Sequence, residues 1–356
     1  MAGNTFGRVL RLTTFGESHG AGIGGVLDGC PAGLPLDASV LQTELDRRKP
    51  GADGAGPAGT ARKESDTARL LSGVFEGRTT GTPIAFFIAN EDQRSRDYGE
   101  LARVYRPGHA DVVYDAKYGV RDYRGGGRAS GRETAARVAG GAIAQALLAR
   151  EGIRVQAATV ELGGIAVEQI DMDGARTCRY FSADSETVPR WDALIKDVRA
   201  AGDTLGGIVQ VVASGVPAGL GEPVFDKLDA VLAAALMSVG AVKGVEIGAG
   251  FAAARMRGSE HNDPLTPEGF ASNNAGGILG GIASGQEIVL RAAIKPIPSI
   301  AVEQKTVDCE GRPVRLRVGG RHDICAIPRV VPVLAAMTAL ALADALLLQR
   351  RMGAGA

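Results

Sequence analysis

Two stretches with nearly the same letters, GCPAGLP at residues 29–35 and GVPAGLG at residues 215–221, indicate how this chain folds. Each follows an apolar run typical of a β-strand and precedes a helical pattern, at residues 37–48 and at residues 225–238. We therefore predict a strand, turn and helix unit that occurs twice in one pseudosymmetric body. The alternative is that proline and glycine recur at unrelated turns, as they do in many proteins.

The remaining patterns predict a mixed α and β protein. Strand-like runs lie at residues 208–212, 245–247, 288–290 and 314–318. The clearest helix is predicted to begin at Ser130, because Ser130 and Glu133 match a capping box and apolar residues at helical spacing follow them. Gly152 is expected to end that helix.

Composition places the chain among soluble globular proteins. It has 356 residues, 45% of them hydrophobic and 22% charged, with 40 Lys and Arg against 40 Asp and Glu. This balance argues against the strongly basic surface of a nucleic-acid-binding protein, so any anion it binds should be small and local. The four cysteines form no CxxC pair, which predicts neither a zinc site nor a disulfide framework and fits the cytoplasm.

The most apolar stretch, residues 330–348, contains Pro332 and Asp344 and is marginal in length for crossing a bilayer. We predict that it forms a buried helix, and the N-terminus has no apolar segment typical of an export signal. The glycine-rich residues 51–60 are consistent either with a mobile lid over a site or with a passive connection.

Three of the four histidines lie in segments dense with glycine, arginine and acidic residues. These are GESHG with His19, RPGHAD with His109, and GGRHD with His322. A histidine of near-neutral pKa moves protons at physiological pH, and a charged neighbour retunes it. One such histidine is often only structural, but three in similar contexts indicate catalysis.

The segment GGGRASGRE, residues 125–133, predicts an anion site. Glycines permit close approach of the backbone, a helix N-terminus follows, and Arg128 and Arg132 add forked donors. Tyrosines interleave with basic residues over residues 94–132, a pattern also seen in proteins that bind single-stranded nucleic acid. Five acidic residues in the same stretch dilute that charge, so ion pairs at a solvated face are the preferred interpretation of the outer arginines.

The segments GESHGAGIGGVLDGCPAG, GGGRASGRETAARVAGGA and GRHDIC resemble the chorismate synthase family. RPGHAD, KYGVRDYRGGGR, ASGVPAGLGEPVFDKLDA, AVKGVEIG and NNAGGILGG also resemble family segments in the expected order. The resemblance implies an α+β fold, a β-α-β sandwich with helices between two antiparallel sheets. It further implies one domain over residues 1–356 that assembles as a homotetramer.

The resemblance also implies a cytoplasmic carbon–oxygen lyase of the shikimate pathway, which leads to the aromatic amino acids. The family converts 5-enolpyruvylshikimate 3-phosphate to chorismate by an anti 1,4-elimination of phosphate and the C6 hydrogen. It requires reduced FMN (FMNH2) although no net redox change occurs, and NADPH would serve only as a reductant of the flavin. Neither a nucleic-acid partner, a membrane nor a metal is expected.

By the same resemblance, His109 would protonate the departing phosphate, His19 would keep the reduced flavin suitably protonated, and Asp323 would take the proton through flavin N5. Arg321 beside Asp323 would favour its carboxylate form. The substrate would meet Ser18, Arg48, Arg106, Arg132 and Arg321. The flavin would meet Arg128, Ala129, Ser130, Gly240, Ala241, Gly280, Lys295, Pro296, Ile297, Pro298, Ser299 and Arg321. The alternative is a noncatalytic flavin-binding or anion-binding protein. The presence of His19, His109 and Asp323 argues against it.

Three departures from the family pattern stand out. Ala335 occupies a position where the family usually has glutamate, and Ile324 one where proline, serine or valine is common. The third departure is a missing arginine, which the family commonly has where this chain has the region around Gly54. Substrate affinity would therefore rest on Arg62 or Lys63 instead, or be weaker.

Overall fold

Two antiparallel sheets of five strands each carry the fold. The computed structural model describes residues 3–49, 53–59, 64–91, 100–124, 126–318 and 322–353. The first sheet has the order β1-β2-β3-β7-β4, from β1 (Thr5–Phe6), β2 (Arg11–Gly16), β3 (Gly22–Asp28), β4 (Ala68–Leu70) and β7 (Ile84–Ala89). The second has the order β11-β16-β10-β8-β9, from β8 (Arg154–Leu162), β9 (Ile165–Ala166), β10 (Gly207–Ser214), β11 (Val242–Ile247) and β16 (Ile288–Ile294).

Among the described residues, four short hairpins lie outside these sheets. They are β5 (Val74–Phe75) with β6 (Arg78–Thr79), β12 (Leu265–Thr266) with β13 (Gly269–Phe270), β14 (Ile278–Leu279) with β15 (Ile282–Ala283), and β17 (Gln304–Val307) with β18 (Pro313–Leu316). The helices are α1 (Ala38–Arg48), α2 (Asp111–Tyr118), α3 (Thr134–Ala149), α4 (Val188–Ala200), α5 (Leu228–Met237), α6 (Gly258–His261) and α7 (Ile327–Met352).

The helices α1, α3, α5 and α7 form the middle layer of the molecule. Helix α3 contacts β2, β3 and β7 of the first sheet and β8 of the second, while α7 packs on β8 and β10. Alternate residues of β7, Ile84, Phe86 and Ile88, are buried, as expected for a strand with one face on a core. The predicted α+β sandwich, with helices between two antiparallel sheets, is confirmed.

The repeat expected from the two similar turns is visible in the order of elements. The series β2, β3, α1, β7, α3 recurs as β8, β10, α5, β16, α7, and within each sheet the three strands pair in the same way. Gly29 and Gly215 begin the two turns with φ +85° and +72°. A Cβ there would lie 1.8 Å from Val9 O and 2.3 Å from Gly152 O, so both positions need glycine for the same reason.

Helix α3 begins later than the sequence predicts. Ser130 Oγ accepts from Arg132 N at 3.3 Å in a 3-10 turn, Gly131–Glu133, and α3 follows from Thr134. The Glu133 carboxylate accepts from Thr14 Oγ1 and Arg137 Nε, both at 2.8 Å. The capping-box prediction was therefore wrong for Glu133, because Thr14 from β2 and Arg137 from α3 occupy its oxygens.

Helix α7 is the one described helix that is long and apolar enough to span a membrane. In its most apolar 18-residue window, 94% is buried inside the structure, so it is a core helix, as predicted. Asp344 on this helix is also buried. Its carboxylate accepts from the backbone N–H groups of Arg8 at 2.8 Å, Val9 at 2.7 Å and Leu10 at 2.9 Å.

Replacing Asp344 with alanine is expected to lower the free energy of unfolding by about 2–3 kcal/mol, because buried N–H groups lose a charged acceptor. Asp344→Asn retains one oxygen for Val9 and Leu10 and should lose about half as much. Urea unfolding followed by circular dichroism measures both variants. Equal stability of Asp344→Ala and the wild type would contradict the assignment.

The described part of the glycine-rich segment is packed against its surroundings. Ala58 O accepts from Ile324 N at 2.9 Å, and a Cβ on Gly56 would lie 2.7 Å from Arg179 Cδ. Residues 53–59 therefore favour the interpretation as a connection; residues 51, 52 and 60 lie outside the described residues.

Candidate active site

The turn between β2 and β3 carries two of the predicted site residues. Ser18 Oγ lies 3.0 Å from His19 Nδ1, and His19 is buried. Asn90, directly after β7, donates from Nδ2 to Glu17 O at 2.9 Å and to Gly20 O at 2.8 Å. The turn therefore depends on the neighbouring strand for its position.

Two predicted substrate arginines meet at one buried carboxylate. Asp66 accepts from Arg48 Nη1 at 3.1 Å and from Arg132 Nη1. Arg48 also donates to Gly131 O at 2.6 Å, and Arg132 Nε donates to Asn90 Oδ1 at 3.0 Å. The guanidinium groups are thus fixed in place by acceptors of the protein itself.

Burial and charge oppose each other in this cluster. Burial alone would raise the pKa of Asp66, but the cations Arg48 and Arg132 outweigh it and hold that pKa below its usual range. Burial, with the charge of Arg329, lowers the pKa of Arg48 to about 9, so its guanidinium stays charged at pH 7. Arg329 Nη1 also donates to Asp323 Oδ2 at 2.9 Å, which links the third catalytic candidate to the cluster.

His109 is held by hydrogen bonds at both ring nitrogens. Nδ1 lies 3.0 Å from Pro107 O, and Nε2 lies 3.0 Å from Ser299 Oγ. A carbonyl oxygen only accepts, so in the neutral ring Nδ1 carries the hydrogen and Nε2 accepts from the serine hydroxyl. Burial, followed by the nearby charge of Arg106, lowers the pKa of His109, which keeps the ring neutral at pH 7.

Arg106 is fixed by a forked ion pair. Its Nε and Nη2 donate to the two oxygens of Asp111 at 2.8 and 2.7 Å. Arg121 approaches the same carboxylate at 3.3 Å. An anion bound by Arg106 must therefore approach the remaining edge of its guanidinium group.

Two of the predicted flavin segments, residues 240–241 and 295–299, meet beside His109. Lys295 N donates to Ala241 O at 2.9 Å, and Lys295 Nζ donates to Gly108 O at 3.1 Å. A Cβ on Gly108 would lie 2.7 Å from Pro298 Cβ. Ala241 has φ +76°, a strained conformation of the kind that often marks functional sites.

The other residues of these segments are held by nearby loops. Ile297 O accepts from Thr204 Oγ1 at 2.7 Å, and Pro296 packs near Gly206. Gly240 precedes Ala241 in the turn between α5 and β11. Gly280 lies at the tip of the β14–β15 hairpin, where a Cβ would meet nothing within 4 Å.

The arginine-rich turn before α3 uses its donors internally. Arg128 Nη1 donates to Gly16 O at 3.1 Å, and Nη2 donates to Thr14 Oγ1 at 2.6 Å. The backbone N–H groups of Ala129 and Ser130 bond within the turn, at 2.9 and 3.2 Å. These two N–H groups are therefore already used, contrary to the free donors expected from the sequence.

Some predicted residues lie outside the described part of the chain, namely Arg321, Gly125, Arg62 and Lys63. His322, which follows Arg321, is close enough for its charge to contribute to the low pKa of His109. The stretch carrying Asp323 thus lies near both the His109 group and the arginine cluster.

Sequence reasoning missed Asp66, Asn90 and Arg329. None of them lies in a glycine-rich or histidine-containing segment, so no local signal marked them. Asp111 could have been found, since it lies in RPGHAD five residues after Arg106.

A separate cavity of about 540 Å³ lies between α1, α3 and the start of β8. Its lining includes Glu44, Arg47, Ala142, Arg154 and Ala335, and none of the predicted site residues. In this cavity Glu44 forms ion pairs with both Arg47 and Arg176, so these three charges are already paired with one another. Within the part of the chain that the structure describes, no group of three or more His, Cys, Asp or Glu side chains could hold a metal ion.

Comparisons with known proteins agree with one another. A family model described as chorismate synthase matches residues 10–347. Proteins named chorismate synthase from Nitratidesulfovibrio vulgaris and Oleidesulfovibrio alaskensis are similar to this chain, with 72% and 70% identity, 99% of this chain covered, and 100% and 99% of theirs. A solved structure described as "Crystal Structure of Chorismate Synthase" has a TM-score of 0.76 and 35% identity, covering 96% of this chain and 93% of that one.

Proposed function

Since the chain belongs to the chorismate synthase family, we propose that the buried histidine and arginine groups described above carry out that family's reaction. The chain is a carbon–oxygen lyase that eliminates phosphate from 5-enolpyruvylshikimate 3-phosphate to give chorismate in the shikimate pathway. The observation that carries the assignment of its active site is the double hydrogen bond that orients His109 beside Arg106 and Ser299.

His109 is proposed to act as the acid for the leaving phosphate. In the free enzyme its Nε2 accepts from Ser299, so this nitrogen has a lone pair to protonate. A bound phosphate dianion favours the imidazolium form, because an opposite charge raises the pKa of histidine. The proton gained at Nε2 is then available to the departing phosphate oxygen.

The substrate's carboxylates and phosphate are proposed to meet Arg48, Arg106, Arg132 and Arg321, with Ser18 as a neutral donor. Arg48, Arg106 and Arg132 are each less than a tenth exposed, so their hydrogen bonds form away from bulk water. Each charge-assisted bond contributes about 1.5–3 kcal/mol. Asp66 and Asp111 hold these groups in place before substrate arrives, which lowers the entropic cost of binding.

Reduced FMN is proposed as the cofactor, held by the flavin segments named above. The backbone bond between Ala241 and Lys295 and the close approach of Pro298 to Gly108 bring two of these segments beside His109, and the strained turn at Ala241 supports a binding role for them. When bound, the reduced flavin would supply electron density to the substrate. His19 would then hold a proton beside the flavin, and Asp323 would accept the proton lost from C6.

The proposed function is tested by an anaerobic assay with reduced FMN and 5-enolpyruvylshikimate 3-phosphate, following inorganic phosphate. We expect phosphate and chorismate in equal amounts and none with oxidised FMN. Phosphate release without any flavin would refute the cofactor, and no release with reduced FMN would refute the function. NADPH is proposed only as a reductant, so adding it to oxidised FMN tests whether the chain reduces its own flavin.

The pH dependence of the reaction should report His109. Its pKa lies below the ordinary 6.5 in the free enzyme, so kcat/KM should fall as pH rises through that lowered value. In the complex the phosphate raises the pKa, so kcat should persist to higher pH. Stopped-flow rates from pH 5 to pH 9 measure both profiles, and identical profiles for wild type and His109→Gln would exclude this group.

We also propose that the chain is a cytoplasmic homotetramer whose protomers each form one domain over residues 1–356. Large exposed apolar side chains, including Phe225, Phe251 and Leu265, support association. Light scattering should then give four times the chain mass of 36.6 kDa. One domain predicts a single thermal unfolding transition, and a cytoplasmic location predicts recovery of the protein in the cytoplasmic fraction. The mass of a single chain would refute the tetramer.

A further inference from the structure

The Ser18–His19 turn projects beyond its sheet. The pairing of β2 with β3 ends at Gly16 and Ile23, so residues 17–21 have no partner strand within this hairpin. Within the turn, Gly20 N donates to Glu17 O at 3.2 Å. The position of His19 therefore depends on contacts from outside the hairpin.

Asn90 supplies three of those contacts. Its backbone N–H donates to Ala21 O at 3.2 Å, and its Nδ2 donates to Glu17 O and Gly20 O, one on each side of Ser18 and His19. Its Oδ1 faces the other way and accepts from Arg132 Nε at 3.0 Å. One short side chain thus joins the histidine turn to a substrate arginine.

The partners determine how the carboxamide is oriented. Two carbonyl oxygens require the NH2 group, and a guanidinium N–H requires the oxygen, so the flipped amide would be repelled on both sides. Aspartate would keep the acceptor for Arg132 but lose both donors and place a negative charge against two carbonyls. Alanine would lose the side-chain contacts on both sides and keep only the backbone bond to Ala21 O.

We propose that Asn90 is a positioning residue that holds the Ser18–His19 turn at a fixed position relative to Arg132. The distance between the His19 imidazole and the Arg132 guanidinium group then stays constant. Arg132 is itself fixed by Asp66 and by Ala89 O at 3.1 Å, so it provides a rigid reference. Through its hydrogen bonds to both, Asn90 restrains the turn relative to Arg132. This role rests on the proposed function, because it is through His19 that the turn affects turnover.

The test uses Asn90→Ala and Asn90→Asp in the full chain. Both lose the donors to the turn, so kcat should fall about 10- to 100-fold, as expected for a misplaced catalytic group. KM should change less than about threefold in Asn90→Asp, which keeps the acceptor for Arg132, and should rise further in Asn90→Ala. Near-wild-type kcat in Asn90→Asp would overturn the proposal, since it would mean that contact with Arg132 alone suffices.

Gln156→Ala is the matched control. Gln156 is also a carboxamide that donates two hydrogen bonds, to Met172 O at 3.1 Å and Asp173 Oδ1 at 2.9 Å, and it lies outside the proposed active site. Its loss should leave kcat unchanged. If Gln156→Ala lowers kcat as much as the Asn90 variants do, the effect is general destabilisation and the positioning role is refuted.

Hydrogen exchange of the free enzyme separates this proposal from the proposed function. Amides of residues 17–21 should exchange about 10-fold faster in both Asn90 variants, while those of α3 stay protected. Unchanged exchange at residues 17–21 would overturn the positioning role whatever the activity. If the wild type releases no phosphate, the proposed function fails, and the exchange result alone decides whether Asn90 holds the turn.

Discussion

His109→Ala is expected to lower kcat by about 10²–10⁴-fold, the usual contribution of a general acid. The phosphate would then leave as an unprotonated group, while the arginines proposed to bind the substrate keep their contacts with Asp66 and Asp111. Substrate affinity should therefore fall much less than kcat, by no more than the loss of one charged contact to the phosphate. Single-turnover phosphate release under anaerobic conditions and equilibrium binding of substrate measure the two quantities separately.

His261→Ala is the control for this experiment. His261 lies at the end of the short helix α6 and belongs to none of the groups described at the candidate active site. Its replacement should leave kcat at the wild-type value. A rate for His109→Ala within about threefold of wild type would remove the acid role, since a general acid contributes far more than that.

Asp66→Ala is expected to destabilise the fold by about 3–5 kcal/mol, the cost of breaking a buried ion pair by removing one partner. Asp66 is 1% exposed and is the shared acceptor of Arg48 and Arg132. Without it, two buried guanidinium groups face each other with Arg329 nearby. Urea unfolding at pH 7 measures the loss.

The Asp66 carboxylate also predicts how the free energy of unfolding changes with pH. Because the folded state lowers the pKa of Asp66, its contribution is fully present above the pKa in the unfolded chain, about 3.9. The contribution is lost as pH falls through the still lower pKa of the folded chain. The difference in stability between wild type and Asp66→Ala should therefore narrow below about pH 4.

Asp28→Ala provides the comparison at the surface. Asp28 pairs with Arg11 at 2.8 Å, but both side chains are more than a third exposed. Its replacement should change the free energy of unfolding by less than about 1 kcal/mol. If Asp66→Ala is no more destabilising than Asp28→Ala, the buried cluster does not stabilise the fold.

The sequence was informative where the cause of structure is local. Asp37 begins α1 by accepting from Ser39 N at 2.8 Å, and the predicted helix over residues 37–48 is found at Ala38–Arg48. The paired glycines at 29 and 215 mark turns whose backbone conformation excludes a side chain. Such signals lie within a few residues of their consequence, so they can be recognised in the chain itself.

Residues far apart in sequence decided what local signals could not. Glu133 left the predicted capping box because Thr14, 119 residues away, offers it a hydroxyl. The Nε2 partner of His109 is Ser299, 190 residues away, and the two arginines proposed to bind substrate meet at Asp66 only in the folded chain. The sequence by itself therefore determined the family, the sandwich of helices between sheets and the choice of candidate catalytic histidines. Tertiary structure decided which partner each charged or polar group has, because hydrogen bonds and ion pairs act over a few ångströms in space, irrespective of separation along the chain.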